Sequence, residues 1–576
     1  MTATRGLPNV LETIERMAMS QPHADAIRSP EGILTYSELS ELINQAAQRL
    51  HGLGKHSRTV AIVLPRTRSA VVALLAAWRA GYAYAPLDPR WPRERLNRML
   101  DQLQPAAVWI RGADAQRIDT RWPLICDDPE APVRPRSEET TTIIGDGTEA
   151  AYVLCTSGTT GTPRAAIVTH EMVDNDVRSL LSVVLDHERP TIVASTPLTF
   201  DVSVFEIVAA LMTGGCIDFV DSVLALRDRD EATGSVLCSV PSLLRQLLED
   251  PQVSLRYRSI VTAGEPLTAD LVGLVHDRCP QTRLFNAYGQ VETFYTSIWE
   301  VPRGESEPPP TMLVGHPLQG KHAYVLDSSL AEVSHGEVGE LFVSGLVSPG
   351  YVNSPRHSAL RFVPLNVAQP GIRAVRTGDL VRRTSSGLEY VGRVDRQIKI
   401  AGVGVNVSDI ESLLTANPNF REAAVILNPK MPADLVVFVV PQSRQSSADP
   451  EADARQALES ALPSNLGPAV IVVVDHIPRA SSGKIDYHAV ADLYSSGPAG
   501  PVLNEQALVG LFKEVLDVDS VSPDADFFGL GGYSLKVAGL ASRIRATFDV
   551  PCTMLDIIAN PTPRGLARLL TPRRQT

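Results

Sequence analysis

The sequence predicts an α/β protein that carries an all-helical domain toward its C-terminal end, and three observations support that prediction. From Thr59 to Val472, β-branched apolar runs alternate with helix-like stretches. At Gly392–Gly402, GRVDRQIKIAG brings charges and glycines where the pattern shifts to shorter elements, so a small α/β unit is expected to follow. After the Gly/Pro/Ser segment SSGPAGP, Ser495–Pro501, two amphipathic stretches follow one another.

The elements justify this in order. The opening MTATRGLPNVLETIERMAMS has no apolar signal core and has the pattern of an amphipathic helix that begins a domain. TVAIVL (59–64), PTIVAS (190–195), RSIVTAG (258–264) and AYVL (323–326) are strand-like, whereas RSAVVALLAAWRAG (68–81) and PSLLRQLLED (241–250) are helix-like. Alternation of the two types predicts a largely parallel sheet with covered faces. QSRQSSADPEADA, Gln442–Ala454, is a polar insertion. In the tail, LNEQALVGLFKEVL and SLKVAGLASRIRATF flank an acidic, glycine-bearing loop.

Composition narrows the function classes. With 576 residues, the chain has room for roughly three or four domains. It is 44% hydrophobic and 20% charged, and no apolar run approaches the ~20 residues of a membrane span. Six scattered cysteines without a CxxC pair indicate neither a zinc site nor a disulfide framework, and a cytoplasmic location is expected. A net charge of −12 argues against a nucleic-acid binder. The expected partners therefore include neither nucleic acid nor membrane.

Two motifs carry chemistry. In CTSGTTGTPRAAIVTH, five hydroxyl residues and two glycines fill the seven positions Thr156–Thr162. Such a loop offers backbone N–H groups and hydroxyls to an anion such as phosphate, although the same composition also makes ordinary turns. The GxxxxGK[ST] spelling is absent, because Pro163 and Arg164 follow closely on Gly161. In DFFGLGGYSLKV, Ser534 stands beside two glycines at an expected helix start, where it could cap the helix or carry a phosphate favoured by the helix N-terminus.

The tail closely resembles a peptidyl carrier domain, whose motif is an acidic residue, Phe-Phe, then Leu-Gly-Gly-x-Ser-Leu; this implies 4′-phosphopantetheine on Ser534. TSGTTGTPR, GYAYAPLDP (81–89), FDVSVFEI (200–207), NAYGQVET (286–293), GELFVSGLVSPGYVN (339–353), RTGDL (376–380), GRVDRQIKIAG and PRASSGKID (478–486) resemble, in order, the amino-acid-activating adenylation domains of nonribosomal peptide synthetases. The resemblance implies the adenylate-forming enzyme fold: a large N-terminal subdomain (1–394), a small mobile C-terminal α/β subdomain (395–494) with its hinge at Asp395, a linker (495–501) and an all-α four-helix carrier domain (502–576). It implies ATP and Mg²⁺ as well.

Residue by residue, the resemblance gives Thr156, Ser157, Gly158, Thr159, Thr160 and Gly161 to the phosphates of ATP. Asn286 and Tyr288 go to the adenine, Gly289 to the nucleotide site, Asp379 and Arg393 to the ribose, Glu292 to Mg²⁺, and Lys484 to catalysis and substrate contact, with Glu292 and Arg393 beside it in the catalytic set. Asp201 matches the residue that pairs with a substrate α-ammonium. Val202, Phe205, Cys238, Val261, Ala263, Ala287, Tyr295 and Thr296 would line the pocket. None of these lining residues is charged, so a neutral amino acid, mainly hydrophobic or aromatic, is expected.

The pattern departs from the family at Pro163-Arg164-Ala165 (usually Pro-Lys-Gly), at Gln290-Val291 (commonly Pro-Thr), and at Gly404, Val405 and Asn406 (usually Arg-Ile-Glu). The implied activity is amino-acid activation by MgATP and loading of the carrier thiol, in the biosynthesis of nonribosomal peptides or other amino-acid-derived natural products. The implied partners are a phosphopantetheinyl transferase and a tailoring enzyme or condensation domain in trans, since neither HHxxxDG nor GxSxG occurs. Whether an MbtH-like helper is needed stays open. The rivals are an acyl- or aryl-acid ligase, which Asp201 disfavours, and a non-catalytic scaffold, which the loop departures suggest.

Overall fold

The computed structural model describes residues 10–570 except 54–56, 128–148, 157–163, 186–188, 230, 304–312, 368–369, 395–396, 401–402, 429–430, 443–448, 462–469, 480–484, 497–504, 517, 519, 532–533, 549, 551 and 553. The chain forms two compact units, Met1–Asn406 and Val407–Thr576. No helix among the described residues is long and apolar enough to cross a membrane.

The first unit holds a six-stranded and a fourteen-stranded sheet. In the smaller sheet, Leu124–Cys126, Ala107–Ile110, Thr59–Val63, Ala83–Pro86 and Ala150–Thr156 run parallel, and Arg164–Thr169 closes the edge antiparallel. The larger sheet contains a parallel block of six: Asp25–Ser29, Cys216–Phe219, Thr191–Ala194, Ala232–Ser239, Leu255–Ala263 and Arg283–Gln290. One apolar core draws residues from both sheets and from helices such as Arg68–Arg79, His170–Val184 and Val202–Met212. In Arg68–Arg79 every residue from Ala70 to Trp78 is buried, as an apolar-all-round helix requires.

The expectation of a largely parallel sheet holds for that block and for the smaller sheet, and fails in the rest of the larger one. From Arg283–Gln290 onward the larger sheet is antiparallel throughout, through Phe294–Glu300, Leu313–Pro317, Gly387–Arg393, Ile372–Thr384, Val338–Gly345 and Lys321–Leu326. The reason is connection length. A parallel pair needs a crossover, usually a helix, and between Glu300 and Val407 the only helix among the described residues is the seven-residue Pro355–Arg361.

The second unit contains a three-stranded sheet, in which Phe420–Asn428 pairs antiparallel with Met431–Pro441. Met431–Pro441 then pairs parallel with Val470–Val473 after the helix Pro450–Ala461. Beyond the helix Tyr487–Ser496 come four more: Glu505–Leu516, Ser534–Phe548, Met554–Ala559 and Pro563–Leu570. Leu508, Phe512, Phe527, Leu540, Ile544 and Leu566 share their core, and the rings of Phe512 and Phe527 meet edge to face at 5.2 Å. Phe527 is buried, whereas its neighbour Phe528 is 40% exposed.

Candidate functional site

Sheet register assembles the residues expected to line the substrate pocket. Cys238 lies opposite Val261, Val261 opposite Phe285, and Ala263 opposite Ala287. Paired residues share a face, and residues two apart on a strand return to it. Cys238, Val261, Ala263, Phe285 and Ala287 therefore fall on one side of the sheet and pack in one core with Phe205 and Tyr295, while Leu237, Ile260 and Leu284 supply the core of the opposite side. Phe285, one residue before NAYGQVET, falls on the same face although no motif marked it. Val202 and Phe205 come from the first turn of Val202–Met212, three residues apart and so neighbours on the helix surface.

Asp201 is the N-cap of that helix, half-buried, and its Oδ1 accepts from the Val202 N–H at 3.0 Å. The capping role that a lone aspartate suggests is thus present, alongside whatever the carboxylate does toward a ligand. Glu206 on the same helix is committed elsewhere: it accepts from the Ser195 N–H (3.2 Å), the Thr196 N–H (3.1 Å) and the Thr196 hydroxyl (2.8 Å). Burial pushes its carboxyl up to about 7, against the attraction of Arg66. Tyr295 stands edge-on to Phe205, with ring centroids 5.9 Å apart. Its hydroxyl is buried with no hydrogen-bond partner among the described residues, as is that of Tyr152, and burial raises both well above the ordinary phenol value. The Thr296 hydroxyl donates to the Thr293 hydroxyl at 2.8 Å, so it serves the turn.

The hydroxyl-rich loop joins two antiparallel strands, with Thr156 opposite Arg164 at its root. Ser157, Gly158, Thr159, Thr160 and Gly161 lie outside the described residues, as do Lys484 and Asp395. The second strand of that hairpin receives the segment around Tyr351: the Ile167 N–H donates to the Gly350 carbonyl, and the Val352 N–H to the Ala165 carbonyl. The Arg164 guanidinium lies 5.8 Å from the Tyr351 ring centre. The Tyr351 hydroxyl in turn donates to Glu292 Oε1 at 2.5 Å, and Arg361 Nε stands 3.9 Å from the same oxygen. Glu292 is buried. Its Oε2 accepts no hydrogen bond among the described residues.

Beside this lies Asp379, also buried, opposite Arg393 across its strand pair and bonded to the Arg393 guanidinium. The Tyr288 hydroxyl and the Gln290 amide donate to its other oxygen. The Tyr288 ring packs in an apolar group with Val314, Leu341 and Val381, and Asn286 Nδ2 donates to the Leu313 carbonyl at 2.8 Å. Both residues expected to face adenine are thus engaged within the protein. Gly289 is required by close approach: a Cβ there would stand 1.8 Å from the Phe294 carbonyl oxygen. Three residues of this constellation, Tyr351, Arg361 and Thr377, were not among those expected from sequence. Tyr351 and Thr377 fall inside quoted motifs, whereas Arg361 lies outside all of them.

Three family models match the chain: AMP-binding enzyme over residues 14–352, AMP-binding enzyme C-terminal domain over 409–484, and phosphopantetheine attachment site over 506–570. A probable non-canonical nonribosomal peptide synthetase of Salinispora arenicola is 33% identical over 96% of this chain, which covers 7% of that protein. A dimodular nonribosomal peptide synthase of Bacillus subtilis is 30% identical over 97% of this chain and 24% of its own length. Among solved structures, a holo nonribosomal peptide synthetase protein with adenylation and carrier domains, bound to a vinylsulfonamide inhibitor, aligns over 98% of this chain and 96% of its own, with a TM-score of 0.75 at 24% identity.

Proposed function

The chain belongs to the AMP-binding enzyme family and carries a phosphopantetheine attachment domain, and from that premise we propose that it activates an α-amino acid. In this reading the amino acid and MgATP give an aminoacyl-adenylate and pyrophosphate, and the aminoacyl group then passes to the carrier of the same chain. Its class is settled more coarsely: it is an adenylate-forming ligase joined to a carrier domain, with ATP, Mg²⁺ and 4′-phosphopantetheine as its cofactors. The observation that supports the amino-acid reading is Asp201, one carboxylate at the edge of a wall otherwise built from Val202, Phe205, Cys238, Val261, Ala263, Ala287 and Tyr295. An α-ammonium would add a charge-assisted contact to that half-buried carboxylate. The apolar wall favours a neutral side chain, hydrophobic or aromatic, and the Tyr295 hydroxyl on it has no hydrogen-bond partner among the described residues.

The residues fit the cofactors. Among the described residues the Tyr351 hydroxyl donates to Glu292 Oε1, and Oε2 is the oxygen a hard cation that also binds phosphate would take. Among the described residues there is no group of three or more His, Cys, Asp or Glu that could hold a metal, so a cation here would draw its other ligands from ATP and water. Thr156 and Arg164 set the root of the loop that would cradle the phosphates. Charge develops on phosphate oxygens during adenylation, so Lys484, Arg393 and the loop amides act by positioning and electrostatic stabilisation. Ser534 opens a fifteen-residue helix, a position where the negative charge of a phosphodiester is favoured. When attached, 4′-phosphopantetheine supplies the thiol that accepts the acyl group. The chain would be primed by a phosphopantetheinyl transferase in the cytoplasm and would hand its cargo to a tailoring enzyme or condensation domain, in nonribosomal peptide or related biosynthesis.

Intact-mass measurement tests this. The full chain is treated with a phosphopantetheinyl transferase and coenzyme A, then with MgATP and a pool of amino acids. A phosphopantetheine increment followed by one aminoacyl increment is expected. A primed chain that takes up an aryl or acyl acid and no amino acid would overturn the amino-acid reading.

A further inference from the structure

The feature that joins the two ends of the nucleotide site is Gln290, where relatives commonly have proline. Its side-chain amide is fully used. Nε2 donates to Asp379 Oδ2 at 2.5 Å and to the Thr377 carbonyl at 3.0 Å, and Oε1 accepts from Arg361 Nη2. Arg361 stands 3.9 Å from Glu292. One amide thus bridges the carboxylate given to the ribose and the arginine beside the carboxylate given to Mg²⁺. Asp379 in turn accepts from Gln290, Tyr288 and Arg393, which fill three of the roughly four acceptor positions of a carboxylate. What remains open to a ribose hydroxyl therefore depends on where the amide holds Oδ2.

We propose that Gln290 is a positioning residue for the nucleotide: it fixes Asp379 relative to Arg361 and Glu292, and so the ribose end of ATP relative to its metal end. The inference rests on the nucleotide assignments of the proposed function and does not depend on which acid is activated. Proline at this position would lack the amide and the backbone N–H that Gln290 directs at the Thr293 hydroxyl, 3.2 Å away.

The test is equilibrium binding of MgATP, and of its 2′-deoxy and 3′-deoxy analogues, to the full chain by calorimetry. Gln290→Met keeps side-chain length and backbone N–H and removes both amide functions; Gln290→Leu serves if Gln290→Met does not fold. Hydrogen bonds to a charged group of this kind support a loss of about 10- to 100-fold in MgATP affinity. The penalty for removing a ribose hydroxyl, large in the wild type, is expected to shrink in the variant because Asp379 is no longer held. A change below twofold in MgATP affinity, or equal weakening of ATP and both analogues, would overturn the proposal while leaving the nucleotide site intact. A wild-type chain that binds no MgATP would overturn the nucleotide assignments and this proposal with them.

Discussion

Lys321 and Asp176 form an ion pair at 2.9 Å with both side chains fully buried. The ammonium also donates to the Thr293 carbonyl at 2.8 Å and to the Leu346 carbonyl, and Asn175 Nδ2 donates to Asp176 Oδ1 at 2.9 Å. Lys321→Met leaves a buried carboxylate without its cation, a loss of about 3–5 kcal/mol. Replacing both partners, as Asp176→Leu with Lys321→Met, removes the stranded charge and should recover most of that loss. Burial pushes Asp176 up to about 6, against the attraction of Lys321. Because that value lies above the ordinary one near 4, the folded state holds more protons than the unfolded state between them, and stability from this group is lost as pH rises through that window. Without Lys321 the carboxyl moves higher still. The deficit of Lys321→Met against wild type should therefore be smaller at pH 5 than at pH 8. Urea unfolding followed by tryptophan fluorescence reports it cleanly, since all five tryptophans, Trp78, Trp91, Trp109, Trp122 and Trp299, lie in the first unit. A single variant that loses less than about 1 kcal/mol, or a double variant no better than the single, would refute the assignment of a paired buried charge.

Asp201→Asn keeps a good N-cap and removes the charge, so the urea midpoint should barely move while KM for the amino acid rises by about two orders of magnitude in ATP–pyrophosphate exchange. Ser534→Ala should keep exchange and lose covalent loading, read by intact mass; Lys484→Ala should abolish exchange yet accept acyl groups from supplied adenylate. Tyr295→Phe removes a buried hydroxyl that has no partner among the described residues, so stability should hold or rise. In each isosteric substrate pair, the ratio of exchange rates should shift about tenfold toward the apolar member.

The parallel strands and the helices between them were legible because burial on both faces leaves continuous β-branched runs, as in TVAIVL and PTIVAS. The antiparallel half was not, because a strand such as Lys321–Leu326 shows the same apolar run whichever way its neighbour points, and direction is decided by how the chain returns. Candidate residues carried in motifs, such as Asp201, Glu292, Asp379 and Arg393, could be picked out from the sequence; contacts such as Tyr351 and Arg361 on Glu292 could not. Gln290 was visible as a departure, but its amide acts on Asp379 and Arg361, 89 and 71 positions further along. Lys321 and Asp176 are single charges without a motif, and only their meeting in the fold gives them a role. Asn286 and Tyr288 show the opposite limit: the motif fixed their identity, while packing engaged both within the protein.

The cross-strand register of the proposed pocket wall constrains redesign. Ala263 and Ala287 face one another on adjacent strands, about 5 Å apart, so they share one volume rather than two. Enlarging either fills space that the other also borders, and enlarging both crowds an already close-packed layer. A library that varies these two positions independently will spend most of its members on clashes or voids. Exchanging volume between them, and likewise between Cys238 and Val261, reshapes the pocket while leaving the sheet's backbone spacing alone.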